Sequence, residues 1–366
     1  MNNLILDTPA KAASLASAWA GIQKAKPGIR IREAAKELGA SEAQLLATKV
    51  GEHVIRLKGP WGDLLKRLPE LGRVMSLTRN DSCILEHKGP FEQVSVFGEG
   101  TRSMATVIGP IETRVFFNAW HVVFAATEEK SDRVLKSIQV FDKSGEAITK
   151  IYLQDKGLKE ASNEEAFYKI IDDFRSDDQS PEQEVQPYTK EQFADDVDTV
   201  TLLAEWSALK DTHDFFGMLK RHKVDRYDAL KVATGRFTHH VNAKTAAKQI
   251  LDEASLLKLP IMIFAGNRGN LQIHQDKVRT IRVLDHGHTG AESWLNVLDP
   301  DFNMHLKQND IHTAWVVKKP TNDGVVTSVE LFDKNKNLVI QFFGLRKPGI
   351  QENETWTRLV EKLLAE

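Results

Sequence analysis

The sequence predicts an α+β protein built as a tandem duplication of one domain-sized unit, and three observations carry that prediction. The stretch around Val74 to Leu153 returns around Ile261 to Gly344. Distant anchors keep one register: Asn80 in VMSLTRN and Asn267 in IMIFAGN stand 187 residues apart, and so do Trp19 in LASAW and Trp206 in LLAEW. Each copy also opens with helical periodicity and passes into strand-like alternation broken by polar turns, the pattern of helices layered on antiparallel hairpins. Further on, SIQVFDK from Ser137 and SVELFDK from Ser328 stand 191 residues apart, which carries Tyr152 onto Phe343. A few inserted residues explain the change of offset. Repeats of roughly 20 to 50 residues stack into arrays, whereas a period this long implies two units, each able to bury its own core.

The elements follow in order. Pro27 should end the first helix. The segment Arg32 to Leu46, REAAKELGASEAQLL, reads as helix, glycine turn, helix. That form is shared with DNA-reading motifs, but a formal charge of −2 supplies no general basic face for phosphates, so a packed helical hairpin is the expectation. IETRVFFNAW alternates as a strand, placing Arg114 and Phe116 on one face and Val115 and Phe117 on the other. VFDKSGEAITKIYL and VELFDKNKNLVIQFF each read as strand, tight polar turn, strand. Between Ile171 and Val200 the chain is rich in acids and interrupted by Pro181 and Pro187, which marks a linker or mobile edge. The expected organisation is therefore a first repeat over 1–175, an acidic linker over 176–198 and a second repeat over 199–366. In the second repeat, a helix from about Thr201 would carry Leu202, Trp206, Leu209, His213, Phe216 and Leu219 along a single apolar stripe.

Composition narrows the function classes. With 366 residues, 41% apolar and 27% charged, the chain has the balance of a soluble globular protein. The single cysteine, Cys83, excludes an intrachain disulfide and reads as a small core residue. Met1 to Asp7 lacks the basic start and apolar core of a signal peptide, and no stretch approaches the roughly 18 to 20 apolar residues of a membrane span. A cytoplasmic protein is expected. Gly98-Glu99-Gly100 lacks the third glycine of a dinucleotide fingerprint, and no Walker sequence is present. His239-His240 and His286-Gly287-His288 lack the cysteine or carboxylate company of a zinc signature.

The differences between the copies point to chemistry. The 187-residue offset places Lys26-Pro27 opposite His213-Asp214, so only the second copy offers an imidazole there. A single histidine on an apolar face is more often a satisfied core group. A neutral imidazole among aromatics is also what an apolar, planar iron cofactor needs as an axial ligand, and both readings stand. Arg114 shares a face with an aromatic, where it either pairs with a nearby carboxylate or faces a ligand. Arg226, Lys318, Lys319 and Arg346 would suit a ligand carrying carboxylates if they converged on one pocket.

Six separated blocks carry a resemblance to a known family: LKGPWGDLLKRLPELGRVMSLTRN, IETRVFFNAW, DTHDFFGMLKRH, IMIFAGNRG, KKPTNDGVVTSVELF and VIQFFGLR. In this order they resemble the HemS/ChuS/PhuS family of cytoplasmic hemin-utilisation and hemin-degrading proteins, over nearly the whole chain and including its internal duplication. The resemblance implies a large antiparallel sheet with flanking helices in each half and a cleft for heme. It implies His213 as the axial ligand to the iron, with Arg114 as a catalytic group beside Phe116 on the opposite face. It also implies that Arg226, Lys319, Gln341 and Arg346 line the cleft, where cations can meet propionates, and that Phe264 forms an apolar wall. Phe343 stands where some members carry tyrosine, so a phenolic hydrogen bond is absent. The implied activity is opening of the macrocycle of heme received from an import system, with release of iron. Since no flavin or nicotinamide fingerprint is present, electrons must come from a reductase or soluble reductant. The alternative is a non-catalytic chaperone that delivers heme to a separate heme oxygenase. Heme-responsive binding of nucleic acid through Arg32 to Leu46 is the weakest reading.

Overall fold

The alternating segments of both copies form antiparallel strands in a computed structural model that describes residues 8–130, 133–154, 161–189, 191–194, 196–286, 292–346 and 349–365. The chain folds as two compact units. Unit 1 comprises Met1–Thr78, His87–Thr189 and Asn267–Leu271, and unit 2 comprises Arg79–Glu86, Lys190–Gly266 and Gln272–Glu366. Two short segments thus cross the linear order expected from the repeat, one in each direction.

In unit 1 five strands run in the order Val54–Leu57, Val122–Glu129, Val134–Phe141, Ala147–Leu153 and Val74–Arg79, all antiparallel. Unit 2 repeats the arrangement with Thr238–Val241, Thr313–Thr321, Gly324–Phe332, Leu338–Gly344 and Ile261–Gly266. The likeness extends to irregularities. A bulge falls between Val140 and Phe141 in one copy and between Leu331 and Phe332 in the other. Ser137 pairs with Tyr152 as Ser328 pairs with Phe343, the correspondence read from the sequence. Each unit also carries three antiparallel strands: Ser95–Phe97, Met104–Val107 and Glu112–Phe116 in unit 1, and Ile281–His286, Glu292–Leu298 and Phe302–Lys307 in unit 2. His288, one of the histidines considered for a metal, lies outside the described residues.

Helices precede each five-stranded run. In unit 1 the helix Thr8–Ala25 stops before Pro27, and Ile31–Leu38 ends at Gly39, whose φ of 63° is a left-handed conformation that glycine adopts without steric cost. Ser41 and Gln44 then form a reciprocal capping box that opens Glu42–Ala47. This is the packed helical hairpin expected from Arg32 to Leu46. The acidic segment after the helix Glu164–Phe174 is tied to the strand Val54–Leu57. Arg56 donates to Gln183 Oε1 at 2.5 Å and to the carbonyls of Ser180 and Glu182 at 3.1 and 2.6 Å.

The exchanged segments are held by their asparagines. Asn267 donates through Nδ2 to the carbonyl of Ile148 at 2.8 Å within unit 1. Asn80, its counterpart, donates to Val339 O at 2.8 Å within unit 2. Since Ile148 and Val339 are themselves counterparts, the same bond is made twice. Gly269 belongs to the exchanged segment in unit 1, and a Cβ there would meet Ile148 Cδ1 at 2.6 Å, so only glycine permits this approach.

Apolar burial supplies the stability of both units. One core gathers Leu64, Leu65, Val115, Phe167 and Ile170, and another gathers Ile250, Ile263, Leu295, Phe342 and Trp356. Cys83 is fully buried in the latter, and burial raises its thiol pKa, as expected of a core residue. His274 lies buried on the strand Asn270–Asp276, stacked on Phe302 with centroids 3.7 Å apart. Burial pushes its imidazole pKa down from 6.5 to about 4, against the opposing pull of Asp276 and Asp299. The unfolded chain therefore binds a proton near pH 6.5 that the folded chain refuses until about pH 4. Stability should be complete above pH 6.5 and fall by up to about 3 kcal/mol as the pH drops to about 4. Urea unfolding of wild type and His274→Gln across that range checks this, the variant being expected to show the shallower slope.

Candidate functional site

The apolar spacing that predicts one helix from Thr201 instead spans two, Thr199–Ser207 and Asp214–Arg221. The expected single stripe is corrected accordingly. Leu202, Trp206, Leu209 and Leu219 are buried, but the His213 side chain is 92% exposed and Phe216 is 62% exposed. The reason is local hydrogen bonding. Asp211 Oδ1 accepts the His213 N–H at 2.8 Å, and Asp214 Oδ2 accepts the Asp211 N–H at 3.1 Å. These carboxylates satisfy backbone donors outside a helix and turn the chain, so the helical register restarts at Asp214. His213 is consequently not a core group. It stands at the start of the second helix, on an open pocket lined also by Leu209, Lys210, Gly217 and Arg221. Its Nδ1 lies 2.5 Å from Asp211 Oδ1.

Behind this turn, Trp206 is fully buried, stacks on Phe237 at 5.3 Å and meets Phe215 edge-on at 4.7 Å. Its indole N–H donates to Lys318 O at 3.0 Å. Phe215 in turn lies under two cations, with Arg226 Cζ 5.1 Å and Lys319 Nζ 4.8 Å from its ring centre.

Those cations converge on one carboxylate that sequence reasoning missed. Glu330 is fully buried; Arg226 donates to it through Nε and Nη2, both at 2.7 Å, and Lys319 Nζ at 3.2 Å. Gln341 Nε2 and Ser328 Oγ each add a bond at 3.0 Å. Burial alone would raise the Glu330 pKa, but Arg226 and Lys319 outweigh it and hold the carboxyl well below its ordinary range. Burial lowers the Lys319 ammonium to about 8, opposed by Glu330. The structure thus brings together Arg226, Lys319 and Gln341. Phe343 joins them, 5.8 Å from Lys319 Nζ, and packs edge-on against Phe264 at 5.0 Å. Arg346 is bonded to Asp323 at 3.2 Å instead, and Lys318 contributes its backbone carbonyl to Trp206.

The same place in unit 1 is built with other charges. Gln139 occupies the position of Glu330 and Lys150 that of Gln341, and Lys150 pairs with buried Glu42 at 2.7 Å. Among the described residues, the pair there joins one cation to one anion. In unit 2 two cations share one anion, leaving a positive excess suited to an acidic ligand.

Arg114 and Phe116 belong to unit 1, on the strand Glu112–Phe116. They share a face, as the alternation predicts, while Val115 is buried on the other. The exchanged segment fixes this strand: Gly269 O accepts the Phe116 N–H at 3.0 Å and the Trp120 indole N–H at 3.2 Å. Thr113 Oγ1 bonds Asn270 Oδ1 at 2.5 Å. The Arg114 guanidinium pairs with Glu112 at 2.9 Å and stays partly exposed, leaving donors for another group.

Asp211, Phe215 and Glu330 are the residues of this site that pattern reading did not find. The acid-rich DTHD is the local signal that would mark a helix start there, whereas nothing adjacent in the sequence marks Glu330 as the partner of Arg226 and Lys319.

A family model for the haemin-degrading HemS/ChuX domain matches residues 39–174 and 223–363. The hemin transport protein HemS of Yersinia enterocolitica is 31% identical over 92% of this chain and 93% of its own length. The holo form of PhuS, a heme-binding protein from Pseudomonas aeruginosa, superposes with a TM-score of 0.89 at 38% identity, covering 96% of this chain and 99% of PhuS. ChuS, an Escherichia coli heme oxygenase, superposes with a TM-score of 0.82 at 29% identity, covering 96% and 99%. With both repeats matched separately and nearly the full length aligned, this chain belongs to the HemS/ChuX-domain family of haemin-degrading proteins.

Proposed function

We propose that this protein binds heme in hemin utilisation and opens its macrocycle with electrons supplied from outside, releasing the iron. The observation that carries the reading is His213, an exposed imidazole two residues before Phe215, which packs against the cations of a buried polar hub; the counterpart position of His213 in the first repeat holds Lys26. Heme supplies the redox-active iron and the ring that is broken. His213 ligates the iron through Nε2, and Phe264 and Phe343 offer apolar surface to the ring. Arg226 and Arg346, each only partly buried, face propionates, with Lys319 and Gln341 acting through the Glu330 hub. Arg114 is the catalytic group of this reading: its partly exposed guanidinium keeps donors that would hold a small polar ligand, and Phe116 shares its strand face.

The ring opening is oxidative and needs dioxygen or peroxide as oxidant with electrons from a reductase or soluble reductant, together with an import system that supplies heme, and the protein works in the cytoplasm. Among the described residues, no helix is long and apolar enough to cross a membrane.

A hemin titration of the apo protein followed by visible absorption tests the ligand assignment. Wild type should bind one equivalent with a histidine-type spectrum. His213→Ala should lose that spectrum and weaken binding by roughly tenfold or more, about 1.4 kcal/mol. An unchanged variant would remove His213 from the site. Adding reductant to the loaded wild type should then consume the heme spectrum and yield a linear tetrapyrrole. Transfer of intact heme to a heme oxygenase without that product would instead establish a delivery protein.

A further inference from the structure

We infer that Asp211 is the positioning residue that fixes the tautomer of His213 and presents its Nε2 as the ligating atom; this rests on the assignment of His213 as the iron ligand. Asp211 Oδ1 lies 2.5 Å from His213 Nδ1 and accepts the His213 backbone N–H at 2.8 Å. The Asp211 side chain is more than half exposed, and an exposed aspartate is ionised at neutral pH. An ionised carboxylate can only accept hydrogen bonds. The ring nitrogen facing it must therefore carry the proton, which leaves the lone pair of a neutral imidazole on Nε2. Among the described residues, no partner takes Nε2.

The carboxylate is itself held. The Asp211 N–H donates to Asp214 Oδ2 at 3.1 Å, and the Asp214 N–H donates to Asp211 O at 3.2 Å. Two reciprocal bonds thus close a turn around His213 before any ligand arrives. An imidazole on a surface turn would otherwise rotate freely and sample both tautomers. A carboxylate on the far nitrogen removes that freedom and makes the ligating nitrogen a stronger donor, the role such partners play behind metal-bound histidines. The sequence carries the device compactly, because the aspartate sits two residues before the histidine in DTHD.

The test uses the full chain with Asp211→Ala, Asp211→Asn and His213→Ala. Imidazole ¹⁵N shifts of the apo protein at neutral pH read the tautomer directly. Wild-type His213 should show a protonated Nδ1, and Asp211→Ala should move toward the Nε2–H form usual for free histidine. Hemin titration should then show affinity lowered roughly ten- to a hundredfold in Asp211→Ala. The ferrous iron–histidine stretching frequency should fall, and Asp211→Asn, which keeps an acceptor without the charge, should lie between. An Asp211→Ala protein with the wild-type tautomer, affinity and stretching frequency, alongside an impaired His213→Ala, would overturn the role of Asp211 alone. A His213→Ala protein that binds hemin as wild type does would overturn the ligand assignment and this inference together.

Discussion

Glu330→Ala should destabilise the apo protein by about 3 to 5 kcal/mol, the range for stripping one partner from a buried ion cluster. Five donated hydrogen bonds end on this one carboxylate. Removing it strands a guanidinium whose side chain is 24% exposed and an ammonium that is 4% exposed. The two orphans respond differently. Lys319 already has its pKa lowered to about 8 by burial, and without Glu330 it sheds its proton more readily. Since the unfolded chain then holds the extra proton, the stability of the variant should rise with pH. The guanidinium of Arg226 remains without its carboxylate partner, so the deficit narrows without closing. Urea unfolding at several pH values from 6 to 9 measures both effects. A loss below about 1 kcal/mol, as for an exposed pair, would show that water reaches the cluster and that the hub is not what orders Arg226, Lys319 and Gln341.

Trp206→Ala should also cost about 3 to 5 kcal/mol, through the cavity left by a fully buried indole. The Trp206 indole joins Phe215, Phe237 and the carbonyl of Lys318, so it fastens the helix Thr199–Ser207 to the strand Thr313–Thr321. Its loss should loosen the turn at Asp211 to Asp214 and weaken hemin binding along with stability. Trp19 provides the internal control. It holds the same place in the first repeat, packs in a smaller cluster with Ala34, Ala35 and Leu45, and carries Lys49 4.3 Å above its ring. Trp19→Ala should cost less and leave hemin affinity near wild type. Thermal unfolding of both variants with parallel titrations makes the comparison, and equal effects on affinity would mean that Trp206 has no privileged link to the site.

Much of this architecture was legible because duplication and alternation are written locally. The hairpins at Asp142 and Asp333, the face shared by Arg114 and Phe116, and the helix–turn–helix at Gly39 all follow from nearest-neighbour rules. The failure at His213 has a physical origin. The spacing of three or four residues that runs through Leu209 continues at His213, Phe216 and Leu219, so a count of periodicity carries across the break between the two helices. Capping by Asp211 and Asp214 overrides it. Glu330 escaped for a different reason. Its strand alternates plausibly with the glutamate facing solvent, and only tertiary structure shows that cations from the helix Arg226–Val232 and the strand Thr313–Thr321 close over it. Periodicity reports which face of an element is buried, not which distant group waits there.

The crossing of Arg79–Glu86 into unit 2 and of Asn267–Leu271 into unit 1 bears on how such a chain evolves. After an ordinary tandem duplication either copy can be deleted or moved to another gene, because each remains a complete heritable module. Here each copy has lent a hairpin to its sibling, and the loan is secured by the same asparagine bond on both sides. A deletion that removed one repeat would take a piece of the survivor with it. Selection could therefore let the first repeat give up its imidazole, or the second acquire its cationic excess, while holding both in one reading frame. The exchange ties the two copies together, since parting them would strip from each a segment that the other supplies.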